Sequence, residues 1–160
     1  MTPLFFAARE DHLEIVKYIA GHLENKNPAR NDGVTPLFFA AQEGHLEIVK
    51  YIAGHLENKN PAMNDGWTPL HAAAQEGHLE IVKYIAEYLE NKNPAMNDGW
   101  TPLHSAAADG HLAIVKYIAE HLEDKNPTDE NGATPLSLAR ENNHSEIVHH
   151  FEKDLEILWV

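Results

Sequence analysis

The tripeptide Thr-Pro-Leu begins at Thr2, Thr35, Thr68, Thr101 and Thr134, so it recurs every 33 residues along a chain of 160. A period of that length is one supersecondary unit, too small to bury its own apolar faces, so the copies must stack on one another. The copies are close. Residues 35–67 and 68–100 differ at four positions: Phe38/His71, Phe39/Ala72, Gly54/Glu87 and His55/Tyr88. Residues 2–34 and 35–67 also differ at four: Arg9/Gln42, Asp11/Gly44, Arg30/Met63 and Val34/Trp67. The expected organisation is one domain over residues 1–160, with units at about 2–34, 35–67, 68–100, 101–133 and 134–160.

Each unit reads as two helices and a turn. Thr35 is a natural N-cap, and Pro36 occupies the first helical position, where its missing N–H costs nothing. Leu37, Ala40 and Ala41 give a short first helix a small-residue face, and Gly44 suits a left-handed C-cap. A second helix starts at His45 or Leu46. Its apolar positions, Leu46, Ile48, Val49, Ile52, Ala53 and Leu56, step by three and four, while Glu47 and Lys50 face water. Asn58-Lys59-Asn60-Pro61 stops that helix, and Asn64-Asp65-Gly66 supplies turn chemistry before the next Thr-Pro. The fold class is therefore all-α: a solenoid of stacked antiparallel helix pairs joined by β-turn or hairpin loops, without a central core.

Composition narrows the function. Asp plus Glu number 25 against 12 Lys plus Arg, a formal net charge of -13, which repels phosphate backbones and anionic lipid. No nucleic acid and no membrane partner is expected. There is no cysteine, hence no disulfide and no thiolate chemistry. Met1-Thr2-Pro3-Leu4 enters the repeat pattern directly, without a leader's basic and apolar regions, and no run approaches a membrane span. The expectation is a soluble, cytoplasmic protein. No nucleophile elbow, His-Glu-x-x-His motif or phosphate-cradling loop is present, so no enzyme activity and no cofactor is expected. Twelve histidines invite a metal reading. Five of them (His12, His45, His78, His111, His144) recur once per unit, where a repeat step of about 10 Å is too wide for one ion with bonds of about 2 Å. Structural or surface roles are expected for them, and no metal.

The segments Thr68-Pro69-Leu70-His71-Ala72-Ala73 and Thr101-Pro102-Leu103-His104-Ser105-Ala106, followed by Gly77-His78 and Gly110-His111, resemble the ankyrin repeat over essentially the whole chain. The resemblance implies a cupped stack that binds another protein through turn tips and first helices on its concave side. Three departures carry expectations. Leu23, Leu56, Leu89, Leu122 and Leu155 stand where the family ends its second helix at glycine, so that helix is expected to run up to a turn longer. Phe5 and Phe38 replace the motif histidine, which in the family hydrogen-bonds backbone between repeats; those groups must be satisfied differently or rigidity is lost. Asp11 and Asn143 replace the C-cap glycine in the terminal units; asparagine tolerates the left-handed conformation and aspartate does so less well.

Carried onto this sequence, the implied binding surface comprises two rows. The turns hold Val34, Trp67 and Trp100 before Thr-Pro, with Asp65 and Asp98 at the tips. The first helices hold Phe6 and Phe39, then Arg9, Gln42 and Gln75 one turn later. Trp67 and Trp100 read as exposed anchors of the kind enriched in binding hot spots; Phe6 and Phe39 read equally well as filler between repeats. The expected partner is a protein with a neutral or basic surface. A monomer is expected, with self-association through the apolar tail Leu155-Glu156-Ile157-Leu158-Trp159-Val160 as the alternative. Near-identical copies and the lack of cysteine also fit a different reading, an engineered or idealised scaffold with no evolved ligand.

Overall fold

The computed structural model describes residues 2–156, with side chains to Asp154. Among these residues the chain forms ten helices and no strand, in five consecutive pairs. The first helices of the pairs are α1 (Pro3–Arg9), α3 (Pro36–Glu43), α5 (Pro69–Glu76), α7 (Pro102–Ala108) and α9 (Pro135–Glu141). The second helices are α2 (Leu13–Gly21), α4 (Leu46–Gly54), α6 (Leu79–Glu87), α8 (Leu112–Ala119) and α10 (Ser145–Glu156). No helix among the described residues is long and apolar enough to cross a membrane. Expectations placed on the tail fall outside the described side chains from Leu155 onward, and outside the described residues from Ile157 to Val160.

The first helices start as the sequence implies. Thr35 Oγ1 accepts the Phe38 N–H at 3.2 Å, and Thr68 and Thr101 cap α5 and α7 in the same way, each ahead of a proline. Thr2 makes no such bond. At the other end, Gly44, Gly77 and Gly110 sit at φ +85°, the left-handed region. Two constraints demand glycine there. The backbone angle is one; the other is that a Cβ on Gly44 would lie 2.6 Å from the ring of His78 in the next pair. Asp11 (φ 60°) and Asn143 (φ 62°) take the left-handed backbone, as their positions required.

The second helices depart from expectation. The first four stop at Gly21, Gly54, Glu87 and Ala119, before Leu23, Leu56, Leu89 and Leu122, so they are not lengthened. Each leucine N–H instead reaches back three residues, as from Leu56 to the Ala53 carbonyl at 3.0 Å, which closes a single tight turn. The cause lies in the next residues. Lys59 Nζ donates to the freed carbonyls of Ala53 (2.9 Å) and Leu56 (2.6 Å), and Asn58 Oδ1 accepts the Asn60 N–H at 2.9 Å. Those side chains take the backbone groups that further helix would need. In the fourth pair Asp124 Oδ1 accepts the Asn126 N–H at 3.0 Å in the same way, while Lys125 turns to Asp154, and α8 also stops early. The last pair has no such segment after Leu155, and there α10 runs through to Glu156.

One apolar core runs through the stack, from Leu4 to Phe151. First helices press closely on one another through Ala40, Ala41, Ala73, Ala74, Ala106 and Ala107, all fully buried. Second helices touch their neighbours less, through Ile48, Ile81 and Ile114, so the pairs fan out on that side. Each buried isoleucine of this kind contributes roughly 1.5–3 kcal/mol.

Candidate partner-binding surface

Between pairs the chain makes a hairpin-like turn whose shape is set by an aspartate and a glycine. Asp65 Oδ1 accepts the Trp67 N–H at 2.9 Å and Asp98 Oδ1 accepts the Trp100 N–H at 3.0 Å, as Asp32 does for Val34 at 3.1 Å. The turn is closed at its neck by Met63 N–H to the Trp67 carbonyl, 2.7 Å, and within by Gly66 N–H to the Met63 carbonyl, 3.0 Å. Successive turns then bond to each other. Asn64 N–H donates to the Asp32 carbonyl (3.3 Å), Asn97 N–H to that of Asp65 (3.3 Å), and Glu130 N–H to that of Asp98 (2.9 Å). The tips thus form one ladder of backbone bonds, which holds exposed Asp65 and Asp98 in a fixed row.

Trp67 and Trp100 belong to this row but are half-buried, not bare. The Trp67 ring packs on His71 at 5.3 Å, the Trp100 ring stacks on His104 at 5.3 Å, and Trp100 Nε1 donates to Ser105 Oγ at 2.8 Å. Val34 is buried in a seam with Phe5, Phe38 and Ala72, and Phe39 packs edge-on against both Phe5 (6.2 Å) and Phe38 (6.1 Å). Phe39 is therefore packed between the first two pairs. Phe6 is half-exposed on the outward side of α1, with the Arg9 guanidinium 5.9 Å over its ring, and Arg9 pairs with Glu10 at 2.6 Å. Gln42 and Gln75 are half-buried near the far ends of α3 and α5. An eight-residue helix separates them from the turn tips by on the order of 10 Å, so the two rows flank the first helices without merging.

Six of the twelve histidines bond backbone carbonyls 29 or 36 residues away along the chain. His71 Nε2 faces the Trp100 carbonyl (3.3 Å), an acceptor only, so Nε2 carries the proton and Nδ1 accepts from Thr68 Oγ1 at 2.8 Å. His104 repeats this with the Ala133 carbonyl (3.2 Å) and Thr101 Oγ1 (2.8 Å). Burial lowers the pKa of His71 to about 4, against the smaller upward pull of its bond to Trp100, and lowers that of His104 for the same reason. Where Phe5 and Phe38 stand instead, the Val34 and Trp67 carbonyls keep one bond each, from Arg30 N–H (2.9 Å) and Met63 N–H (2.7 Å), and the rings fill the apolar seam. At the start of the second helices, His45, His78, His111 and His144 donate from Nε2 to the Arg9, Gln42, Gln75 and Ala108 carbonyls at 2.7–2.9 Å. Among the described residues no group of three or more potential ligands gathers to hold a metal ion.

Sequence reasoning missed one set of residues. Asn27, Asn60, Asn93 and Asn126 each accept the N–H of the leucine ten residues on (Leu37, Leu70, Leu103, Leu136) at 2.9–3.0 Å. The exact recurrence of Asn-Lys-Asn in copies 1–3 was the available signal, since a mere helix stop tolerates many residues. On the opposite side, a shallow cleft of about 540 Å³ crosses the second helices, lined by Lys50, Glu80, Lys83, Tyr84 and Tyr117 among others.

A family model described as ankyrin repeats in three copies matches residues 1–63, 54–129 and 88–154. No curated protein matches the chain.

Proposed function

The chain belongs to the ankyrin-repeat family, and from that membership we propose that it binds a partner protein along the row of turn tips and the adjoining first helices. Ankyrin repeats are in general protein-interaction modules and typically not enzymes. The observation that carries the proposal is the ladder of backbone bonds between turns, which pre-organises Asp65, Asp98 and the accessible parts of Trp67 and Trp100 at fixed spacing. Side chains held in advance lose little entropy on binding. Gln42 and Gln75 extend the contact surface across the first helices, and Arg9 and Phe6 lie toward its N-terminal end. Val34 and Phe39 support it from beneath. With a net charge of -13, the surface steers toward neutral or basic protein faces.

Asp65→Asn with Asp98→Asn tests this, because asparagine keeps the acceptor that each turn uses and removes only the charge. Partner recovered by affinity capture is expected to bind this variant several-fold more weakly at low salt. A control that removes two charges from the second helices, Glu47→Gln with Glu80→Gln, is expected to leave affinity unchanged. Equal losses in both variants would sink the assignment to the turn row. A second reading, an engineered or idealised scaffold without an evolved ligand, is favoured by copies that differ at four positions of 33. Repeated recovery of one stoichiometric partner would exclude it.

A further inference from the structure

The fourth turn of the stack differs in sequence from the three before it. Asp32-Gly33, Asp65-Gly66 and Asp98-Gly99 give way to Asn131-Gly132, the only Asn-Gly pair in the chain. The way the turn is held changes with it. In the first three turns the aspartate before the glycine accepts the N–H two residues on, at 2.9–3.1 Å, so its side chain is pinned. In the fourth, Asp129 takes over that work. Its Oδ1 accepts both the Asn131 N–H at 2.9 Å and the Ala133 N–H at 2.8 Å, and it stands where Arg30, Met63 and Met96 stand in the other copies. The side-chain amide of Asn131 is left exposed and makes no hydrogen bond among the described residues. That exposure belongs to the position, because Asp65 and Asp98, each with a turn on either side, are exposed as well.

An unpinned asparagine followed by glycine has a reaction open to it. The next backbone nitrogen attacks the side-chain carbonyl carbon, and glycine, without a Cβ, gives that nitrogen the least hindered approach. We propose that Asn131 is a self-modifying site, which deamidates through a succinimide formed with the Gly132 nitrogen, with water as the only co-reactant. The Gly132 N–H loses its proton to hydroxide, and the nitrogen forms a bond to Cγ of Asn131. The bond from Cγ to the amide nitrogen breaks, and that nitrogen takes protons from water and leaves as ammonia. Water then opens the ring at either carbonyl, giving aspartate or isoaspartate with no change of oxidation state. The Gly132 N–H also donates to the Asp129 carbonyl at 3.1 Å, so attack waits on brief opening of that bond. The matching bonds of Gly66 and Gly99 are 3.0 and 3.1 Å, so this brake is common to the turns and the free side chain sets the fourth apart. The other turn asparagines are poorer substrates. Asn64 and Asn97 precede aspartate, and their amides donate to the Asn31 and Asn64 carbonyls at 2.9 and 3.3 Å. Aspartate as the product gives position 131 the carboxylate that Asp32, Asp65 and Asp98 carry, which extends the charged row. The reaction belongs to the chain alone and does not depend on that row binding a partner.

The test is to incubate the purified chain at neutral and at mildly alkaline pH and then map its tryptic peptides by mass. Cleavage after Lys125 and Arg140 releases segment 126–140, which holds Asn131 and Asn126. Asn126 precedes Pro127, whose nitrogen has no hydrogen to lose. With time, and faster at the higher pH, the segment is expected to gain the small mass that replacing an amide NH by oxygen adds. Two isomers of that mass are expected, and the intact chain is expected to shift by one negative charge in isoelectric focusing. Samples digested at time zero account for modification during the digest. Asn131→Gln, whose longer side chain disfavours the ring, is expected to show no shift. Asp98→Asn makes the sharper comparison, because it places an asparagine before Gly99 with its oxygen held by the Trp100 N–H. Position 98 is then expected to deamidate several-fold more slowly than Asn131 in the same molecule. An unmodified segment, a single product isomer, a shift that survives Asn131→Gln, equal modification of Asn64 or Asn97, or equal rates at 98 and 131 would each overturn the proposal.

Discussion

His71 is fully buried with both ring nitrogens bonded, and its neutrality is a condition of the fold. Its pKa is lowered from 6.5 to about 4 by burial. Above pH 6.5 both folded and unfolded chains carry it neutral, and its full contribution to stability is present. As the pH falls below 6.5 the unfolded chain takes up a proton that the folded chain refuses, so stability is lost progressively until the folded-state pKa is reached. The loss approaches about 3 kcal/mol for a shift of this size. Phe38 shows that phenylalanine fits the same place. His71→Phe is therefore expected to lose less stability than the unmodified chain between pH 7 and pH 4, measured by urea unfolding; equal losses would place the acid sensitivity elsewhere. Much at this scale was readable in advance. Asp11 and Asn143 were marked by standing where glycine belongs. The half-burial of Trp67 and Trp100 was not readable, because it depends on each indole packing onto a histidine four residues along, inside the first helix.

The connecting segment between repeats shows what local patterning leaves out. Apolar spacing placed Leu56 on the face of α4 and predicted more helix there. The helix ends earlier because Lys59 and Asn58 occupy its last backbone groups. Helix starts were legible because Thr, Pro and Gly act within one turn of themselves. The role of Asn60 was not, since its partner, the Leu70 N–H, lies ten residues away across a turn and becomes visible only once two repeats are stacked. Removing that acceptor leaves a buried donor unsatisfied, at a cost of about 1–3 kcal/mol. Asn60→Ala is expected to lose that much in a urea unfolding curve, and Asn60→Asp, which retains an oxygen at the same place, is expected to lose clearly less. Equal losses in the two variants would mean that the side chain acts through packing and not through its bond to Leu70.

Stability in a stack is a sum of repeats and of the contacts between neighbours, so the two ends need not be equal. The first repeat has Thr2 without its cap bond, Ile15 half in water and a non-glycine residue, Asp11, in the left-handed region. The last repeat has a longer second helix, buried Phe151, and two ion pairs that tie α10 to what it packs on, Arg140 to Glu152 and Lys125 to Asp154 at 3.0 Å. The middle repeats are covered on both sides. Opening is therefore expected to begin at the N-terminal end. Native-state hydrogen exchange is expected to release the amides of Val16 to Ala20 first, those of α10 next, and those of Ile81 to Ala86 last. Uniform protection along all five repeats would instead make the stack a single cooperative unit and remove the basis for an N-terminal weak point.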